Sequence, residues 1–141
     1  MADVHSKEVR SHNMSRIRSK NTKPELLVRK FLFANGFRYR LHNKLLPGKP
    51  DIVLKKYRIV IFIHGCFWHK HKNCKYAFVP ASNTHYWLPK LDKNVEKDVI
   101  AIKELRRLKW KVLVIWECNL KPSKQAKTLQ RILHFIKNYS N

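Results

Sequence analysis

Apolar residues recur at helical spacing in three stretches of the chain and at strand spacing in four others. Thr22-Lys23-Pro24-Glu25 has the spacing of a capping box, Leu26, Leu27, Phe31 and Leu32 supply one apolar face, and Gly36 suits the position just past a helix end. A helix is therefore predicted from Thr22. Leu91, Val95, Val99, Ile102, Leu105 and Leu108 recur every three or four residues and predict a long amphipathic helix over roughly 91–109, and Leu129, Ile132, Leu133 and Ile136 mark a basic helix that closes the chain. Between these, Arg38 to His42 alternates like an edge strand and Pro47-Gly48 marks a turn. Ile52-Val53-Leu54 and Arg58 to Ile63 are β-branched runs joined by the short polar link Lys55-Lys56-Tyr57, which predicts an antiparallel hairpin, and Lys111 to Trp116 reads as a buried strand. The order α-β-β-β-loop-α-β-α predicts a mixed α/β fold with helices covering a small sheet.

Two segments lie outside this pattern. Residues 1–21 are polar and basic, with Met14 and Ile17 as isolated apolar side chains, and are expected to form an arm that orders on a ligand; residues 22–141 are expected to form a single domain. From His64 to about Trp87 the chain is rich in histidine, cysteine and aromatic residues but has no clear period. A loop of that length is hard to hold in a compact domain unless something pins it.

Charge narrows the choice of partner. Thirty-one Lys and Arg against nine Asp and Glu give a net charge of +22, spread along all 141 residues. A folded domain with pI near 10.3 can neutralise several phosphates and release their counterions, so nucleic acid is the first choice of partner. An anionic membrane surface is the second, weakened by the absence of a lipidation motif or a separate amphipathic anchor. No apolar run is longer than the five residues of Ile59 to Ile63, too short to span a bilayer, and charges occupy the N-terminal positions where a secretory leader needs apolar residues. A cytoplasmic protein with no membrane partner is expected.

Three cysteines, at 66, 74 and 118, cannot all pair within one chain, and no secretory signal accompanies them. Cys66, His71 and Cys74 lie within nine residues, and Cys118 follows the predicted strand 111–116, so the four could close a tetrahedral Cys₃His zinc site. His69 is an alternative to His71 as ligand. The competing reading is that Cys66 and Cys118 are small buried hydrophobes and the histidines are solvated.

With only nine carboxylates, each in an unusual context is informative. Pro50-Asp51-Ile52-Val53 places Asp51 at the mouth of a strand whose hairpin partner ends at His64, the layout of nucleases in which a hairpin carries a metal-binding acid. The second acid and the lysine of that layout are missing, because the second strand reads Ile61-Phe62-Ile63-His64, and Pro-Asp is also a common turn dipeptide.

The run His64-Gly65-Cys66-Phe67-Trp68-His69 changes the balance. So do Met-Ser-Arg-Ile-Arg-Ser-Lys-Asn-Thr-Lys-Pro-Glu at 14–25, Leu-Pro-Gly-Lys-Pro-Asp at 46–51, Lys-Asn-Val-Glu-Lys-Asp at 93–98 and Val-Ile-Trp-Glu-Cys at 114–118. Together, in order and from the first residues to about Cys118, they closely resemble the very short patch repair endonucleases. The resemblance implies a restriction-endonuclease-like α/β core with a structural zinc. It also implies a prokaryotic enzyme that nicks one DNA strand beside the thymine of a thymine–guanine mismatch left by 5-methylcytosine deamination.

Carried over residue by residue, the resemblance makes Asp51 the carboxylate that binds catalytic Mg²⁺, with the backbone carbonyl of residue 63 as a second oxygen. Mg²⁺ keeps several waters and needs few protein oxygens. Position 63 is commonly threonine in that family and is isoleucine here. His69 corresponds to the general acid/base, His64 to a residue that orients or stabilises the phosphate, and Glu25 to one that helps hold the water shell. Phe67, Trp68 and Trp87 correspond to aromatic wedges between base pairs, Met14 to a wedge entering from the opposite groove, and Lys90 and Asn94 to contacts with the mismatched bases, with one residue inserted between His71 and Cys74 relative to the usual spacing. One site per chain predicts a nick by a monomer, with repair proteins acting afterwards. A zinc-stabilised nucleic-acid-binding module without catalysis, and a restriction-type endonuclease acting on fully paired DNA, are the alternatives.

Overall fold

A computed structural model describes residues 22–77 and 84–139. The predicted arm at 1–21, with Met14, lies outside the described residues. Helix α1 (Lys23–Ala34) is capped by the Thr22 hydroxyl, which accepts from the Glu25 N–H at 3.4 Å, with Pro24 in the first turn where its missing N–H leaves no bond unmade. Strands β1 (Arg40–Leu41), β2 (Ile52–Leu54) and β3 (Ile59–His64) follow, then helix α2 (Thr84–Arg107), strand β4 (Lys111–Trp116) and helix α3 (Gln125–Asn138).

The sheet has the order β1-β2-β3-β4. β1 and β2 are antiparallel, as are β2 and β3, with Ile52 opposite Ile61 and Leu54 opposite Ile59; β3 and β4 are parallel, with Ile59 opposite Lys111 and His64 opposite Trp116. The alternation along β3 distributes its side chains to two layers. Ile59 and Ile61 join Ile52, Leu54 and Ile115 against Val28 and Leu32 of α1 and Ile132 and Ile136 of α3. Val60 and Phe62 face the opposite way, with Val53, against Leu105 of α2. Helices on both faces of the sheet give the α/β/α sandwich, and burying each Ile or Leu on those faces contributes roughly 1.5–3 kcal/mol.

Three details differ from the pattern in the sequence. β1 contracts to two residues. β4 is a sheet edge in which only Ile115 is fully buried, because its neighbours are half covered by α2 and α3. α2 begins at Thr84, seven residues before the periodic stretch, and runs through Pro89 despite the backbone bond lost there; Trp87 in this added turn packs edge-on against Phe67 and Tyr86. Gly48 deserves its residue type: it has φ +73° and a Cβ on it would lie 2.7 Å from the Ala101 Cβ, so only glycine lets the 43–50 turn press against α2 just before Asp51. Among the described residues, no helix is long and apolar enough to cross a membrane.

Candidate active site and metal centre

β3 ends at His64, and the chain then coils tightly. The His69 N–H donates to the Gly65 carbonyl at 3.2 Å, the Lys70 N–H to the Phe67 carbonyl at 3.3 Å and the His71 N–H to the Cys66 carbonyl at 3.0 Å. Lys70 has φ +48°, so the chain reverses between the two histidines and sends them to different places.

His71 goes to the cysteines. Ligand atoms of Cys66, His71, Cys74 and Cys118 lie within 4.8 Å of one another, with the Cys118 Sγ 3.4 Å from His71 Nδ1. The His71 ring lies flat on Trp116, centroids 4.1 Å apart and planes 8° from parallel, which fixes its orientation. Cys118 is brought in by the 3₁₀ turn Glu117–Leu120 that follows β4, and the Glu117 Oε1 accepts from the Cys66 N–H at 3.1 Å, tying the coil to the strand. Burial pushes the Cys66 thiol well above its ordinary range. Without a cation, thiolates crowded at this distance are costly; three cysteines and an imidazole so placed suit one tetrahedral soft cation, which would stabilise the thiolates.

His69 goes instead to α2. Its Nδ1 lies 2.5 Å from Asp98 Oδ2, and a carboxylate only accepts, so Nδ1 carries the proton and Nε2 keeps its lone pair in the neutral ring. His64 is stacked on His69 with centroids 3.9 Å apart and planes 5° from parallel, and its Nε2 is 4.0 Å from Asp98 Oδ1. Burial, reinforced by the neighbouring His69, lowers the His64 pKa to about 4, so His64 is neutral at physiological pH. His64 Nδ1 is buried without a hydrogen-bond partner among the described residues.

Asp51 opens β2 directly across from this end of β3. Its Oδ2 accepts from the Ile63 N–H at 2.8 Å. In an extended strand a residue's N–H and C=O leave on the same side, so the Ile63 carbonyl also leaves toward Asp51, beyond the end of β2. The Asp51 carboxyl is pushed up to about 6, chiefly by burial and further by the charge of Glu25, while the Ile63 N–H, His42 and His69 act the other way. Glu25, on α1, is buried at 1% exposure and meets Arg29 Nη1 at 3.2 Å and His42 Nε2 at 2.8 Å. Carboxylate oxygens of Glu25 and Asp51 and a nitrogen of His42 lie within 4.8 Å of one another. A buried and a half-buried acid that repel each other, beside a strand carbonyl, are a hard-oxygen donor set whose repulsion a divalent cation would relieve.

The three predicted wedge aromatics pack together. Phe67, Trp68 and Trp87 meet edge to face with centroids 5.1–5.7 Å apart, and all three remain half-buried. Asn94 Nδ2 donates to the Trp68 carbonyl at 3.2 Å, and the Lys90 ammonium lies 4.7 Å over the Tyr86 ring, which itself packs edge-on against Trp87 at 4.9 Å. Asn94 thus ties α2 to Trp68 directly, whereas Lys90 reaches the cluster only through Tyr86.

The sequence reasoning passed over Asp98, His42 and Glu117. A signal for Asp98 existed: Leu91, Asp98 and Leu105 are spaced by seven, and Leu91 and Leu105 are fully buried, so Asp98 occupies an inward position of α2. His42 closes the alternating stretch 38–42, which marks it as a strand residue and not as a site residue; it lies instead just past the end of β1, with φ +47°.

The sequence profile of the family described as DNA mismatch endonuclease Vsr matches residues 2–75. The chain is 50% identical over 139 residues to the type II nicking enzyme V.NmeAIP of Neisseria meningitidis serogroup A, covering 98% of this chain and 99% of that one. It is 47% identical over 121 residues to the DNA mismatch endonuclease Vsr of Escherichia coli, covering 86% of this chain and 77% of that one. To the type II nicking enzyme V.XorIIP of Xanthomonas oryzae it is 46% identical over 120 residues, covering 85% and 88%.

Proposed function

The chain belongs to the DNA mismatch endonuclease Vsr family, and from that premise we propose that it nicks one strand of duplex DNA beside the thymine of a T:G mismatch, using Mg²⁺ at Asp51 and a structural zinc at the cysteine cluster. The protein is a DNA mismatch endonuclease with a restriction-endonuclease-like α/β fold. The observation that carries the finer reading is that Asp51, bonded to the Ile63 N–H at the end of β3, is near enough to His69 to be influenced by it, while Asp98 holds the His69 ring.

In this reading Asp51 and the Ile63 carbonyl hold the cation, with Glu25 fixing its water shell. When bound, Mg²⁺ polarises the scissile phosphodiester and lowers the pKa of coordinated water. The chain's own part is to place and move protons. Asp98 fixes the tautomer of His69, leaving Nε2 to take a proton from the attacking water or to return one to the leaving oxygen. His64, held neutral by burial, offers a ring nitrogen beside His69 to orient the phosphate. Its neutrality keeps the stacked pair from carrying two charges.

Zinc at Cys66, His71, Cys74 and Cys118 keeps the 65–77 coil in place, and so fixes Phe67, Trp68 and His69 relative to β3. Phe67, Trp68 and Trp87 then supply the wedge. Opening a step costs a few kcal/mol and least at a mismatch, which turns deformability into selectivity. Lys90 and Asn94 exchange their present contacts for base edges when the cluster separates, and Met14, on the 1–21 arm that precedes the catalytic domain at 22–141, is the wedge from the opposite groove. A single site per chain makes a nick by a monomer the product, in agreement with the nicking-enzyme names of two relatives. A prokaryotic cytoplasm, with repair proteins consuming the nick, is the setting that fits DNA as substrate. An end-labelled duplex with one T:G pair, its fully paired control and Mg²⁺ test the reading: nicking of the mismatched duplex alone supports it, and equal cutting of the control contradicts it.

A further inference from the structure

Glu25 is a carboxylate at 1% exposure, and burying such a charge is strongly unfavourable unless it is paired and hydrogen-bonded. One partner, Arg29, comes from the next turn of α1. Another is His42, which lies 17 residues away just after β1. Its backbone N–H donates to the Asp51 carbonyl at 3.0 Å while its Nε2 lies 2.8 Å from Glu25 Oε2, so this one residue touches both acids of the cluster through different groups. It does so with φ +47°, a conformation that costs a non-glycine residue energy and persists where the surroundings demand it. The ordinary extended conformation would continue β1 and redirect the imidazole.

We propose that His42 is a positioning residue for the catalytic cation: by donating from Nε2 it holds Glu25 against the Asp51 site. The inference rests on the reading of Asp51 as the metal-binding carboxylate. Since a carboxylate accepts, Nε2 is the donor, and any side chain that brings an N–H to the same point restores the contact. Glutamine reaches about as far as the imidazole Nε2; alanine and glycine do not. Glycine also removes the left-handed strain, so it separates the loss of the donor from an effect on folding.

The test uses Mn²⁺ as the probe, titrated into the zinc-loaded full chain and followed by electron paramagnetic resonance, alongside the Mg²⁺ concentration for half-maximal nicking. His42→Ala and His42→Gly are expected to weaken Mn²⁺ binding about tenfold, the lower end for loss of a group that orients a metal ligand, and to raise the Mg²⁺ requirement in parallel. His42→Gln is expected to bind within about twofold of the parent, and Asp51→Ala to lose this site. Parent-like Mn²⁺ affinity in both His42→Ala and His42→Gly, with Asp51→Ala still defective, overturns the role of His42 and leaves the Asp51 site standing. A His42→Gln variant as weak as His42→Ala overturns it too, because the donated N–H is then not what matters. Parent-like binding by Asp51→Ala removes the metal reading itself and this inference with it.

Discussion

His69 and Asp98 meet at 2.5 Å, Nδ1 to Oδ2, joining the coil after β3 to the inward face of α2. The pairing decides which ring nitrogen can accept a proton. Asp98→Asn keeps the shape, but its amide can donate to Nδ1 and favour the wrong tautomer. The expected outcome is a fall in kcat of roughly 10²–10⁴-fold, the range for losing a positioned acid/base group, with duplex affinity unchanged. Single-turnover nicking beside a filter-binding titration checks it, and a kcat within threefold of the parent removes His69 from the chemistry.

Asp51 bears on stability as well as on reaction. Its carboxyl is raised from 3.8 to about 6, chiefly by burial, so the folded state holds a proton that the unfolded state releases between those values. Stability from this group is greatest below about pH 4 and falls as pH rises toward 6, after which the loss, roughly 2–3 kcal/mol, is constant. Asp51→Asn retains an oxygen to accept from the Ile63 N–H. Without divalent cations it should be more stable than the parent at pH 7.5 by about 1–3 kcal/mol, a difference that shrinks toward zero near pH 4. Denaturant unfolding of both proteins at the two pH values measures it, and a destabilised Asp51→Asn at pH 7.5 would contradict the burial argument.

The cysteine cluster predicts a bound ion. About one zinc per chain should be found by elemental analysis, and Cys66→Ser or Cys118→Ser should lose it and unfold at a much lower temperature. A metal-free preparation with an unchanged melting curve would refute this.

Selectivity should reside in the aromatic cluster. Trp68→Ala leaves Phe67 and Trp87 without their shared partner. Nicking of the mismatched duplex is expected to drop about 10–100-fold, equivalent to the few kcal/mol of an unstacked step, with little change in affinity for paired DNA. Equal loss on both duplexes would assign Trp68 to the fold instead.

Much of this was legible in the chain because regular periodicity reports burial directly. Ile52–Leu54 and Ile59–Ile63 form the antiparallel hairpin that their β-branched runs predict, and Leu105, Ile132 and Ile136 point inward as their spacing requires. The cysteine cluster was visible in its spacing, but the choice between His69 and His71 was not, since it turns on the reversed backbone at Lys70. The start of α2 was hidden by Pro89 and by aromatic residues whose contacts are tertiary. His42 was invisible for a similar reason: its role comes from one left-handed residue that places its two polar groups on Asp51 and Glu25, and no local pattern encodes that.

The most direct measurement is cleavage by Asp51→Ala set beside its binding, on one duplex carrying a single T:G pair and with Mg²⁺ present. Loss of nicking by at least a thousandfold, with affinity within about threefold of the parent, is the predicted result, because removing the carboxylate takes away the cation's anchor and leaves the aromatic and basic contacts in place. Nicking at a comparable rate would contradict the account.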